Sequence, residues 1–112
     1  MNHARWKTAR TRALLGEAVS EAPEVAAARR EIRYAMALGQ AVYDRRTTLG
    51  ISQAEVARRA DMTQPQISRI EGGDTVPTLP LLERPAGALE SELDIHVVPG
   101  VEAEVRFHSP AA

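Results

Sequence analysis

Residues 63 to 69 read TQPQISR, which puts two glutamines, a threonine, a serine and an arginine within seven positions. Side-chain amides and guanidinium groups offer donors and acceptors in fixed pairs, so glutamine can bond adenine through two contacts and arginine can do the same to guanine. This is recognition chemistry. Bond-making chemistry finds little to work with elsewhere. His3, His96 and His108 are far apart in the chain, and only the last two could meet, across a hairpin. There is no cysteine, which removes disulfides, thiolate zinc sites and cysteine nucleophiles together. The EGGD run at 71–74 lacks the lysine and spacing of a phosphate-binding loop. Glu102 and Glu104 share a strand face, but nothing around them suggests a catalytic pair. With 112 residues to line a pocket, no enzyme, cofactor or metal site is expected.

The elements that must position the polar run are legible on either side of it. Ser52 precedes Glu55 by three and Thr63 precedes Gln66 by three, so each pair forms a capping box that starts a helix. Two helices therefore begin eleven residues apart, over about 53–60 and 64–71. Val56, Ala57 and Ala60 face inward from the first, and Ile67 and Ile70 from the second. Asp61 ends the first helix because aspartate tolerates a left-handed backbone, and Met62 fills the corner. Pro65 falls at the second helical position, where its missing amide costs nothing, and Gly72 and Gly73 close the second helix.

Upstream, Pro23 interrupts an N-terminal helix, and Val25, Ala28, Ile32, Ala35, Met36, Gly39 and Val42 then mark one face of a helix that stops at Gly50. Downstream, Thr78 caps a further helix, and Pro85 either kinks it at Arg84 or ends it before a short turn carrying Leu89. From Leu93 to Val98 and from Val101 to Phe107 the pattern changes to period two around Pro99-Gly100, which reads as a β-hairpin. Its apolar face must cover the helices or a second copy, since a lone hairpin is marginal in water.

Net charge is −1, but its distribution is uneven. Residues 29–70 carry eight arginines against Glu31, Asp44, Glu55 and Asp61, whereas residues 71–112 carry Arg84 and Arg106 against eight acids. A basic middle of +4 and an acidic tail of −6 suit a nucleic-acid face on one part of the chain. Apolar runs such as VAAA at 25–28 are far shorter than the ~20 residues of a membrane-spanning helix. The N-terminal residues lack the continuous apolar stretch of a signal peptide, so a cytoplasmic location is expected.

Two short helices joined by a tight turn form a helix-turn-helix. Over residues 38–82 the chain resembles the Xre/Cro family of DNA-binding domains, through Gln53, Val56, Ala57, Ala60, Met62, TQPQIS, Ile67, Ile70, Glu71 and Gly72; Asp61 stands where the family usually has glycine. The resemblance implies a mainly α, lambda-repressor-like domain over 23–90, with an N-terminal helical extension (1–22) and a C-terminal strand or hairpin (91–112). It also implies that Gln53, Thr63, Gln64, Pro65, Gln66, Ser68 and Arg69 face double-stranded DNA, with Gln53 on the backbone and Gln64 on a base. One such module buries only about 600–1,000 Å², so a homodimer on an inverted-repeat operator is expected, with the hairpin as the pairing element.

The layout as a whole, with WKTAR in the extension and ARREI in the first long helix, is similar to HigA-type antitoxins. That similarity implies a repressor of its own operon and a ribonuclease toxin partner of the RelE/HigB kind. Trp6, Leu14, Leu15 and Val19 then form the toxin-binding strip. A stand-alone Xre-type regulator without a toxin is the alternative.

Overall fold

The computed structural model describes residues 21–110. Four helices and one antiparallel pair of strands make up that part: α1 (Pro23–Leu49), α2 (Gln53–Ala60), α3 (Gln64–Glu71), α4 (Leu79–Ala88), β1 (Glu92–His96) and β2 (Glu104–His108). This is the mainly helical, Xre-like architecture expected. The strip of Trp6, Leu14, Leu15 and Val19 lies outside the described residues.

α1 starts where expected, with Ala22 extended (ψ 140°) ahead of Pro23, whose fixed φ suits a first helical position. It ends on Gly50 at φ 71°, where the Gly50 and Ile51 amides reach back to the carbonyls of Thr47 and Arg46. Its buried face differs from the expected one. Ala35, Leu38, Gly39, Ala41 and Val42 are buried, while Val25, Ile32 and Met36 are 49%, 58% and 60% exposed. The other helices pack only on the C-terminal half of α1, so its first turns have the right period for burial but little to be buried against. At Gly39 the approach is close: a Cβ there would run into the Ile70 carbonyl oxygen. Only glycine lets α3 press its backbone onto α1.

α2 and α3 have the expected bounds. The Ser52 hydroxyl accepts the Glu55 amide, but the Glu55 carboxylate turns to Arg58 and Arg59 instead of returning to Ser52, so the first capping box is half made. The second is complete, with Gln66 N–H donating to Thr63 Oγ1 (3.2 Å) and Thr63 N–H to Gln66 Oε1 (2.8 Å). Asp61 takes the left-handed conformation (φ 55°, ψ 47°), which lets the Met62 amide close on Ala57 O. Val56, Ala57, Ala60, Ile67 and Ile70 are buried in a common core with Ala41, Val42, Ala88 and Leu89.

Of the two expected courses, the stop is ruled out: α4 continues through Pro85 to Ala88 as one helix, and Leu89 is its C-cap instead of part of a separate turn. An interior proline costs roughly 3 kcal/mol. Pro85, Leu82 and Leu89 are all fully buried, and each side chain of that kind returns ~1.5–3 kcal/mol, so packing wins. Arg84 steadies the same turn by donating to the carbonyl oxygens of Ala60 and Asp61 at the end of α2.

The hairpin is looser than its Pro-Gly pair suggests. A turn closes from Val101 N–H to Val98 O with Gly100 at φ 78°, but the ladder stops at His96 opposite Glu104. Proline followed by a positive-φ glycine suits a type II turn, whose twist splays strands apart, so 97–103 becomes an open connection. Leu93 opposite Phe107 and Ile95 opposite Val105 share one face. Phe107, Leu93 and Val105 pack on the helical core, so that end of the hairpin covers its own domain. Arg45 of α1 secures it by donating to Ser91 Oγ (2.6 Å) and Ser109 Oγ (3.3 Å).

Candidate nucleic-acid interface

α2 and α3 meet at a chain of polar side chains that begins inside the domain and ends at its surface. Arg46, in the last turn of α1, grips Glu71 at the end of α3 with Nε to Oε2 at 2.7 Å and Nη2 to Oε1 at 3.0 Å. Both side chains are largely covered, at 14% and 6% exposure. Arg46 also donates to Ile51 O (3.0 Å) and lies over the Tyr43 ring, 5.4 Å from its centre. Its hydrogen bonds to Glu71 hold the guanidinium pKa above the usual range. A two-pronged, charge-assisted contact of this kind fixes geometry as well as charge.

Glu71 passes that order to the surface. Its Oε1 accepts from Gln53 Nε2 (3.1 Å), and Gln53 Oε1 in turn accepts from Gln64 Nε2 (2.7 Å). A primary amide has two N–H donors. Gln64 therefore spends one on Gln53 and keeps one N–H and its Oε1, a donor and an acceptor of the kind that meet the N7 and N6 edge of adenine.

Thr63, Gln64, Pro65, Ser68 and Arg69 are exposed along the first turns and outer face of α3, and Gln53 sits half-buried beside them at the start of α2. Gln66 is placed differently. Its Oε1 is committed to the Thr63 backbone, so of the donor and acceptor that base reading needs, only its amide hydrogens remain. The capping role expected of Gln66 is thus present. Arg46 was not among the expected site residues. Nothing in the spacing of Arg46 and Glu71, 25 residues apart, marks them as a pair, although Glu71 stood among the residues of the family resemblance.

The basic middle is less available than its net charge implies. Arg46 is held by Glu71, Arg45 by the hairpin ends, Arg58 and Arg59 by Glu55, and Arg29 by Glu21 at 3.0 Å. Hydrogen bonds from Arg58, joined by those from Arg59, pull the Glu55 carboxyl down to about 2. His96 and His108 do not meet: His96 is opposite Glu104 and His108 opposite Glu92, at the two ends of the ladder. No cluster of three metal-ligating side chains occurs among the described residues. No helix of the described part is long and apolar enough to cross a membrane.

The model of the helix-turn-helix domain family matches residues 37–102, more than half of the chain. The chain belongs to the helix-turn-helix domain family. The match runs from the middle of α1 past β1 into the hairpin connection, so the helix-turn-helix domain here includes α4 and the first strand. The chain is accordingly a DNA-binding regulator. No curated protein matches the chain.

Proposed function

We propose that this regulator is a sequence-specific repressor of the Xre type that reads DNA with the start of α3 and the start of α2. The observation that carries the reading is the Arg46–Glu71–Gln53–Gln64 chain, which fixes a base-reading amide before any DNA arrives. Gln64 reads a base, Ser68 and Arg69 contact the next base edges or phosphates, and Pro65 offers apolar contact to a thymine methyl. Gln53 and the Thr63 hydroxyl lie against the phosphate backbone. Two copies related by a two-fold axis bind half-sites about one helical turn apart in an inverted repeat.

We further infer that the protein is the antitoxin of a toxin-antitoxin pair. The sequence layout supports this, with Trp6, Leu14, Leu15 and Val19 as the strip that holds a small basic ribonuclease of the RelE/HigB kind. The test is a gel shift on the protein's own promoter, alone and after co-expression with the product of the adjacent gene. A promoter shift, together with a neighbouring gene product that arrests growth unless this chain is present, is the expected result. A shift with no such neighbour would leave a stand-alone repressor, and no shift on any promoter fragment would overturn the DNA reading itself.

A further inference from the structure

The two strands of the hairpin have unequal surroundings. β2 lies along α1, and Arg45 donates to the Ser109 hydroxyl just past its end. β1 has little helix against it, and among the described residues no strand but β2 pairs with it. Its outer edge therefore shows unpaired amides and carbonyls to water, and such an edge is a template for a further strand. Natural edges are often blunted by lysine, proline or a bulge, and Glu92–His96 has none of these. Apolar side chains gather at the same place: Ile95 is 37% and Val97 54% exposed, with Val98 and Val101 exposed beyond them.

We propose that a second copy of the chain occupies this edge, β1 against β1 about a two-fold axis, so that two hairpins make one four-stranded antiparallel sheet. The proposal rests on the two-copy arrangement put forward for DNA reading and gives it its contact. Side-chain chemistry selects the register, because directly opposite residues of an antiparallel pair share a face. With the axis at Ile95, Ile95 meets the partner's Ile95 and Leu93 meets the partner's Val97 on the apolar face. On the polar face Asp94 meets the partner's His96, twice over by symmetry. An axis at Asp94 sets two aspartates against each other, which repel. An axis at His96 runs the pairing into Pro99, which has no amide to give. An axis between residues turns the apolar face of one hairpin to the polar side of the other. The acidic excess of the tail does not oppose the contact, since Glu92, Asp94 and Glu104 on the polar face are interleaved with His96, Arg106 and His108.

The chain has no cysteine, so an introduced one reports alone. Under mild oxidation of the dilute full chain, Ile95→Cys should link to itself across the axis, because directly opposite Cα atoms stand ~4.5–5.5 Å apart, within disulfide reach. Asp94→Cys should fail to link, since the two copies of position 94 are diagonal neighbours roughly 7–8 Å apart. Analytical ultracentrifugation should find two chains together for the unaltered protein. Ile95→Lys, which sets like charges on the axis, should halve that mass with an unchanged circular dichroism spectrum. A single-chain mass for the unaltered protein, a dimer that Ile95→Lys leaves intact, Ile95→Cys that does not link, or Asp94→Cys that links as readily would each overturn the proposal. A gel shift keeps it separate from the DNA reading: a dimer linked through position 95 that shifts no promoter sinks only the DNA reading, and a promoter shift by a chain that does not link there sinks only this contact.

Discussion

At the scale of single residues, the functional distinction lies between side chains that hold and side chains that reach. Gln64 reaches. Replacing it with alanine removes the proposed base contacts and a surface hydrogen bond to Gln53, so specific DNA binding should weaken by ~1–3 kcal/mol while the melting temperature barely moves. Competition gel shifts beside a thermal melt check both halves. Glu71 holds. Its removal leaves the covered Arg46 guanidinium unpaired and frees Gln53, and breaking such a buried pair costs roughly 3–5 kcal/mol. Glu71→Ala should therefore lose both stability and DNA binding, in contrast to Gln64→Ala. A variant that stays fully stable yet loses DNA binding would place Glu71 on the reading surface instead.

At the scale of elements, one close approach is that of α1 on α3 at Gly39. A methyl group there meets the Ile70 and Glu71 carbonyl oxygens, so the helices must separate. Gly39→Ala should cost at least ~1–3 kcal/mol, as overpacking does, and should displace the reading helix, which a denaturant titration and a gel shift together would show. The hairpin has its own dependence on pH. His108 is raised above the ordinary histidine range by the Ser109 carbonyl, by Asp94 at 2.8 Å and by Glu92. A raised folded-state value means the contribution is complete below pH ~6.5 and is lost as pH rises through the folded value. Hydrogen exchange in β2 should thus distinguish the unaltered chain from His108→Gln at acidic pH, with the difference shrinking as pH rises. Short-range signals made most of this legible in advance. The bounds of α1, α2 and α3 followed from Pro23, Gly50, Ser52, Thr63 and Asp61, whose effects reach only a turn or two. What depended on partners distant in sequence was not legible. The buried face of α1, the choice between the two courses of α4 at Pro85, the pairing of Arg46 with Glu71 and the open end of the hairpin are each decided by packing between segments, to which local spacing is blind.

At the scale of the whole molecule, charge is mostly spent within the domain. Each phosphate contact contributes a slope of about 0.9 to the fall of log affinity with log salt. Because Arg29, Arg45, Arg46, Arg58 and Arg59 already have acceptors of their own, the slope should be smaller than eight arginines in the middle of the chain suggest. Arg69→Ala should reduce it by about one unit if that side chain meets a phosphate, and a salt series of binding isotherms measures this directly. Deleting residues 1–22 should leave DNA binding largely intact, since the proposed reading surface draws on α1, α2 and α3. Loss of binding on that deletion would make the extension part of the DNA-binding unit.

The polar chain from Arg46 to Gln64 also has a consequence in time. A reading amide that is already oriented needs no search of rotamers once the protein lands, so right and wrong sequences should be met at similar rates and told apart by how long the protein stays. Operator mutations opposite Gln64 should therefore shorten residence while leaving arrival almost unchanged, and loosening the clamp behind it should slow the productive landing itself.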